Sequence, residues 1–262
     1  MSMNATDVLS VEDLTVRYGG VVAVDSVTAS VGHGEFVGLI GPNGAGKTTF
    51  IDAVTGLTSS SGAVKLDGDP IEGLPPHRRT EKGMARTFQS LELFEDLTVM
   101  ENVLASAEVH RWWSPIVDIA RPSGQREARA SAEEALDLLG LTDDAGSYPP
   151  ELSLGKRKLV GVARAIAGRP KLLLLDEPAA GLDSSESVAL GRELTQVVAA
   201  GTSILMIEHD MGLVMEVCER IHVIEFGRLI ASGPTQDIRS DERVIQAYLG
   251  ASDDDDEIGD TE

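Results

Sequence analysis

Two stretches of this 262-residue chain carry residue types at the spacing needed to hold a phosphate. The first is GPNGAGKTT, comprising Gly41, Pro42, Asn43, Gly44, Ala45, Gly46, Lys47, Thr48 and Thr49. Its first eight residues fit G-x-x-x-x-G-K-[ST], directly after the strand-like FVGLI and before a helical run, which is the context the motif requires. Glycines there let backbone N–H groups curl around the β- and γ-phosphates, and the start of the following helix favours an anion. Lys47 places a point charge on those oxygens, and the Thr48 hydroxyl can face Mg²⁺. The second stretch is ELSLGKRKLVGVARAI, Glu151 to Ile166, with Ser153 at an N-cap position and Gly155 allowing close approach to the backbone. One chain therefore owns two helix starts suited to phosphate.

A third stretch, LLLLDEP, supplies carboxylates. Asp176 ends an apolar run of the kind a buried parallel strand makes, and there it can hold the shell of a magnesium ion beside the phosphate loop. Glu177 follows at once and can orient a water in line with a γ-phosphate and take its proton.

These groups need a sheet to position them. LSVEDLTVRY, DSVTASV and EFVGLI alternate as strands, Lys47 to Gly56 turns helical, AVKLDG is a strand, Asp69 to Pro76 is turn-rich, and MARTFQ is a strand ending at Gln89. Roughly residues 91–168 change character: VMENVLASAEVH and QREARASAEEALDLLG are helical and flank a Trp/Pro-bearing link containing Trp112 and Trp113. Strand and helix then alternate again. KLLLLD and TSILMIE are buried strands, SESVALGRELTQVVAAG and MGLVMEVCER helices, IHVIEFGRLIASG a hairpin, and DERVIQAYLG a last helix stopped by Gly250. The pattern predicts an α/β fold, a parallel sheet covered on both faces and built from 7–90 and 169–250, with an inserted α-helical subdomain at 91–168.

Composition narrows the functions. A net charge of −21 argues against nucleic acid as a partner and requires local donors to hold any nucleotide. The segment 251–262, ASDDDDEIGDTE, has seven acidic residues and no basic one, and reads as a disordered tail. The single cysteine, Cys218, reads as a buried small hydrophobe within a helix. No Cys/His cluster suggests zinc, no signal peptide is visible, and no apolar run approaches the roughly 20 residues that span a bilayer. The chain is expected to be cytoplasmic, serving a membrane only through other chains.

Taken together these motifs resemble the ATP-binding subunits of ABC (ATP-binding cassette) transporters, over residues 7 to 250, which implies an α/β fold with a P-loop NTPase (RecA-like) core, an N-terminal antiparallel β subdomain and an inserted α-helical subdomain. The resemblance assigns Tyr18 in VRYGG to the aromatic that stacks on adenine, and Gln89 in RTFQ to the glutamine linking the magnesium site to the permease. LSLGK matches the signature usually written LSGGQ, AGLD at Ala180 to Asp183 the D-loop, and His209 in IEHD the switch histidine. It implies that Ser153 and Gly155 close over the γ-phosphate bound by Lys47 of a second ATPase subunit, identical or paralogous, with ATP and Mg²⁺ between them. The signature departs from the family pattern at Leu154 and Lys156, and Lys156 is expected to add charge near that shared nucleotide. GMARTFQSLELFEDLTVMENVLAS, LDEPAAGLD and the ending VIQAYLG are similar to the ATPases of branched-chain amino acid importers. Such importers combine two ATPases, two integral-membrane permease chains and a solute-binding protein. ATPases for urea or short amides and for lipopolysaccharide export are also similar. Non-transport relatives of the DNA-repair or translation type carry long coiled coils or two cassettes per chain, and this chain has neither.

Overall fold

The computed structural model describes residues 7–87, 92–109 and 122–251, the side chains of 107–109, 122–125 and 249–251 excepted. Expectations for Gln89, for Trp112 and Trp113, and for the tail from 252 onward lie outside the described residues.

Two long strands open the chain. β1 (Asp7–Tyr18) turns at Gly19 and Gly20 into β2 (Val21–Gly32), pairing antiparallel from Asp7↔Gly32 to Tyr18↔Val21. β3 (Phe36–Ile40) leads through the glycine-rich loop into α1 (Lys47–Thr55), which Gly56 closes with a left-handed φ of 80°. β4 (Ser61–Leu66) and β5 (Asp69–Pro70) complete an antiparallel sheet in the order β2-β1-β4-β5. After α2 (Pro76–Glu81) and β6 (Met84–Arg86) come three longer helices, α3 (Val99–Val109), α4 (Pro122–Leu138) and α5 (Leu154–Ile166). Then follow β7 (Leu172–Asp176), α6 (Ser184–Ala199), β8 (Ser203–Ile207), α7 (Met211–Val217), β9 (Arg220–Glu225), β10 (Arg228–Pro234), α8 (Thr235–Arg239) and α9 (Glu242–Ala251).

The second sheet has the order β10-β9-β3-β8-β7-β6. β9, β3, β8, β7 and β6 run parallel, and β10 returns antiparallel to β9. Side chains on successive strand positions point to opposite faces, and both faces are covered. Leu173, Leu175, Ile204 and Met206 join one apolar cluster with Val103 of α3, Leu136 of α4, Val160 of α5 and Leu194 of α6. Leu172, Leu174, Leu205 and Ile207 join the other, with Phe50 and Ile51 of α1 and with Val11, Val27 and Val64 of the antiparallel sheet. Each fully buried leucine of β7 contributes about 1.5–3 kcal/mol over an exposed one. The sequence-predicted α/β fold class with a P-loop NTPase core is the one observed.

Local differences have local causes. The segment read as turns at 69–76 contains β5, and α2 begins at its last residue. Both elements are too short for hydrophobic periodicity to register. The helix expected over Met211 to Arg220 stops at Val217; Cys218 is its extended C-cap, and Arg220 already opens β9. Cys218 is buried, and desolvation pushes its thiol up to about 12, so it is a packing group.

Candidate functional site

The parallel strands end along one edge, and the groups with chemistry lie there. Between Ile40 and Lys47 the chain makes a tight loop that only particular residues allow. Gly41 has φ 152°, and a Cβ on it would lie 1.9 Å from the Ile224 carbonyl oxygen. Gly46 has φ 102°, with its Cβ position 2.5 Å from the Ala23 carbonyl oxygen. The turn between β9 and β10 braces the loop from behind: Gly227 N donates to the Ala45 oxygen at 2.9 Å, while Asp25 N donates to the Gly227 oxygen at 2.8 Å.

Lys47 is buried at the first turn of α1, and its Nζ donates to the loop carbonyls of Gly41 (2.7 Å) and Pro42 (2.9 Å). Desolvation lowers its pKa, against the pull of Glu177 and Asp176, so both carboxylates act on this ammonium. Thr48 is exposed beside it, Thr49 half-buried, and Asn43 and Gly44 exposed on the rim.

Asp176 closes β7 with its side chain 8% exposed. Arg86 Nη2 donates to its Oδ2 at 2.8 Å, and Arg86 Nη1 donates to Asp52 Oδ1 of α1 at 2.5 Å. Glu177 takes a left-handed φ of 49°, a conformation a non-glycine residue holds only under constraint, and its N–H donates to the Ile207 oxygen of β8 at 3.0 Å. This turn directs Glu177 out of the sheet edge toward His209, whose Nδ1 lies 4.0 Å from Glu177 Oε2. His209 is in turn held by Glu208, which is fully buried. Glu208 Oε1 accepts from Ala179 N (2.6 Å), and Oε2 accepts from His209 N (3.1 Å) and Asp210 N (3.4 Å). One carboxylate thus fastens the turn after Glu177 to the turn carrying His209.

Tyr18 ends β1 half-exposed, with its hydroxyl hydrogen-bonded to Thr58 Oγ1 at 3.0 Å, which fixes the ring while leaving surface open. Ser153 is the N-cap of α5, its Oγ accepting from Lys156 N at 3.4 Å. Among the described residues no hydrogen bond or ion pair joins Ser153 or Gly155 to the Gly41–Thr49 loop. They adjoin the start of α6 instead: Glu186 Oε1 is the nearest atom to a Cβ position on Gly155, at 3.8 Å. Asp183 caps α6, its Oδ1 accepting from Ser185 N (2.8 Å), Glu186 N (2.9 Å) and the Ser185 hydroxyl (2.7 Å). The backbone N–H of Glu186, then the Ser185 groups, hold the Asp183 carboxyl below the usual range. Lys156, half-exposed, donates from its Nζ to both oxygens of Asp144, at 2.9 and 2.7 Å, an ion pair within its own chain.

The structure therefore gathers Lys47, Asp176, Glu177 and His209 at one edge and groups Ser153, Gly155 and Asp183 around the start of α6. Arg86, Asp52 and Glu208 were missed in the sequence. Glu208 directly precedes His209, and Arg86 lies three residues before Gln89, but neither position announces burial.

Oxygen donors at Thr48 and Asp176 suit a hard cation such as Mg²⁺. Among the described residues no group of three or more His, Cys, Asp or Glu side chains could hold a metal. Magnesium does not need one, because it takes one or two protein oxygens with phosphates and waters. Among the described residues no helix is long and apolar enough to cross a membrane.

The ABC transporter family profile matches residues 24–180, and the profile for branched-chain amino acid ATP-binding cassette transporters matches 228–254. The chain is 38% identical to the high-affinity branched-chain amino acid transport ATP-binding protein BraF of Pseudomonas aeruginosa, over 93% of this chain and 98% of that one. It is 37% identical to LivG of Escherichia coli, of the same description, over 92% and 97%. The lipopolysaccharide export system ATP-binding protein LptB of Escherichia coli is 36% identical over 92% and 97%. Among solved structures, the ADP conformation of MJ1267, an ATP-binding cassette of an ABC transporter, superposes with TM-score 0.83 at 30% identity, covering 95% of this chain and all of that one. The dimeric structure of MJ0796, a bacterial ABC transporter cassette, superposes with TM-score 0.72 at 26% identity, covering 87% and 98%.

Proposed function

Because the chain belongs to the ABC transporter family, we propose that it is the ATP-hydrolysing subunit of an importer for branched-chain or other hydrophobic amino acids. The observation that carries the ATPase reading is the convergence of Lys47, Asp176, Glu177 and His209 at one sheet edge. The branched-chain assignment leans on the match at 228–254 together with BraF and LivG.

In this reading the adenine stacks on Tyr18 and the triphosphate lies in the Gly41–Thr49 loop, where Lys47 exchanges the Gly41 and Pro42 carbonyls for phosphate oxygens. Thr48, Asp176 and Gln89 would hold a magnesium ion, which when bound would supply positive charge to offset that of the phosphates. Glu177 orients the attacking water and accepts its proton. His209, steered by Glu208, contacts the γ-phosphate as it leaves. Ser153 and Gly155 of a second cassette chain, with Asp183 beside them, close the site from the other side. Two helix starts then face one triphosphate, each favouring the anion by roughly 0.3–1 kcal/mol when exposed and more when buried. Hydrolysis removes the shared phosphate and the clamp loosens. The chain would work at the inner face of the membrane, docked to permease subunits that form the pathway, with a solute-binding protein outside.

The test is reconstitution with permease subunits of the branched-chain amino acid importer type. ATPase activity rising when leucine-loaded binding protein is added supports the reading. Stimulation by lipopolysaccharide instead would favour the export role suggested by the likeness to LptB.

A further inference from the structure

Asp176 is not positioned by its strand alone. Arg86 leaves β6 at a point paired with Leu174 of β7, and its guanidinium lies between two carboxylates, Asp176 Oδ2 at 2.8 Å and Asp52 Oδ1 at 2.5 Å. Its Nη1 also reaches Thr55 Oγ1 at 3.5 Å. The side chains of Arg86 and Asp176 are each 8% exposed, and that of Asp52 30%. Asp52 and Thr55 belong to α1, the helix that begins at Lys47 of the phosphate loop. One planar cation therefore joins three elements: the strand that leads to Gln89 three residues later, the strand that ends in Asp176, and the helix that starts at the phosphates.

A guanidinium can do this where an ammonium cannot. Its nitrogens diverge in a rigid fork, so each engages a different carboxylate while the plane stays fixed, whereas a lysine is a point charge on a flexible stem. Arg86 engages Oδ2 of Asp176, and a hydrogen bond from a rigid fork restrains the whole carboxylate, its second oxygen included. We propose that Arg86 is a positioning residue for the nucleotide–metal site: it fixes the Asp176 carboxylate against α1, so that the affinity gained from magnesium depends on a residue that touches neither ion nor nucleotide. The proposal rests on the ATPase reading above.

Deleting the cation alone leaves Asp52 and Asp176 facing each other partly buried, so Arg86→Met is paired with Asp52→Asn to restore the charge count. Arg86→Lys provides a second, better-folding variant that keeps the charge and loses the fork. A fluorescent ATP analogue is titrated against each protein in EDTA and again in saturating Mg²⁺, and thermal melts establish that each variant is folded. The result expected is an affinity in EDTA within about twofold of wild type, with the gain on adding Mg²⁺ cut about tenfold or more in the double variant, the scale typical of lost outer-shell partners. Arg86→Lys should fall between. With Mn²⁺ in place of Mg²⁺, the electron paramagnetic resonance line of the bound ion should broaden in both variants. An undiminished Mg²⁺ gain in a folded variant overturns this inference alone. A wild-type protein that binds no nucleotide in either buffer overturns the ATPase reading and this inference with it.

Discussion

Glu177 owes its proposed work to a backbone torsion. A left-handed residue at the end of a buried strand sends the carboxylate out toward His209 instead of continuing the strand. Glu177→Gln keeps that shape and removes the base. Turnover should fall about 10²- to 10⁴-fold while ATP affinity stays near wild type, measured by phosphate release and nucleotide titration. Glu208 makes a different prediction, because it holds the backbone and touches no nucleotide. Glu208→Ala strips the acceptor from three N–H groups around a fully buried side chain, at a cost of about 2 kcal/mol or more. A denaturant midpoint shift, accompanied by lost activity, is expected; an unchanged midpoint would remove Glu208 from that role. The sequence displays Glu177 because a phosphate loop and an apolar strand frame it. It hides Glu208 and Arg86 because their partners come from distant segments, such as Ala179 for Glu208 and Asp52 for Arg86, and only folding brings these together.

At the scale of elements, strands were legible where both faces are buried. LLLLD has no alternation to read, yet its odd and even leucines go to two different cores. One helix start was legible through its cap, Ser153 of α5, whereas the Asp183 cap of α6, with a reciprocal Glu186 three residues on, emerges only in the structure. Asp183→Ala should lower the melting temperature by a few degrees, since three donors at the start of α6 lose their acceptor. Asp183→Asn, which keeps an oxygen acceptor, should recover most of that loss. β5 and α2, of two and six residues, were not legible. α2 exists because Pro76 can open a helix and because Arg79 reaches back to the Ala53 and Val54 carbonyls at the end of α1. That pairing spans 26 residues and leaves no local trace.

The whole molecule joins an antiparallel sheet to a parallel one, and His222 is one of the ties. From β9 its Nδ1 meets Ser232 Oγ of β10 at 2.8 Å, and its Nε2 meets the Ser30 carbonyl of β2 at 2.9 Å. Burial is the main cause that lowers its pKa; Arg220 also lowers it, while the Ser30 carbonyl and Glu35 pull the other way. A histidine held neutral in the fold takes up its proton on unfolding. Its contribution to stability is therefore complete above the ordinary value of about 6.5 and is lost as pH falls below it, toward the depressed native value. Denaturant midpoints between pH 7.5 and pH 5.5, both about one unit from that ordinary value, should drop for the wild type and drop less for His222→Gln. Equal slopes would contradict this.

The account turns on a nucleotide shared between two chains, and mixing two crippled variants tests it. Lys47→Ala loses the phosphate loop but keeps the signature turn; Ser153→Arg loses the turn but keeps the loop. Each alone should be inactive. A mixed dimer rebuilds one intact site of two, so an equal mixture should recover up to about a quarter of the wild-type ATPase rate if the chains pair at random. A Ser153→Arg protein that hydrolyses ATP at the wild-type rate by itself, or a mixture that recovers nothing while both variants still dimerise, would contradict the account.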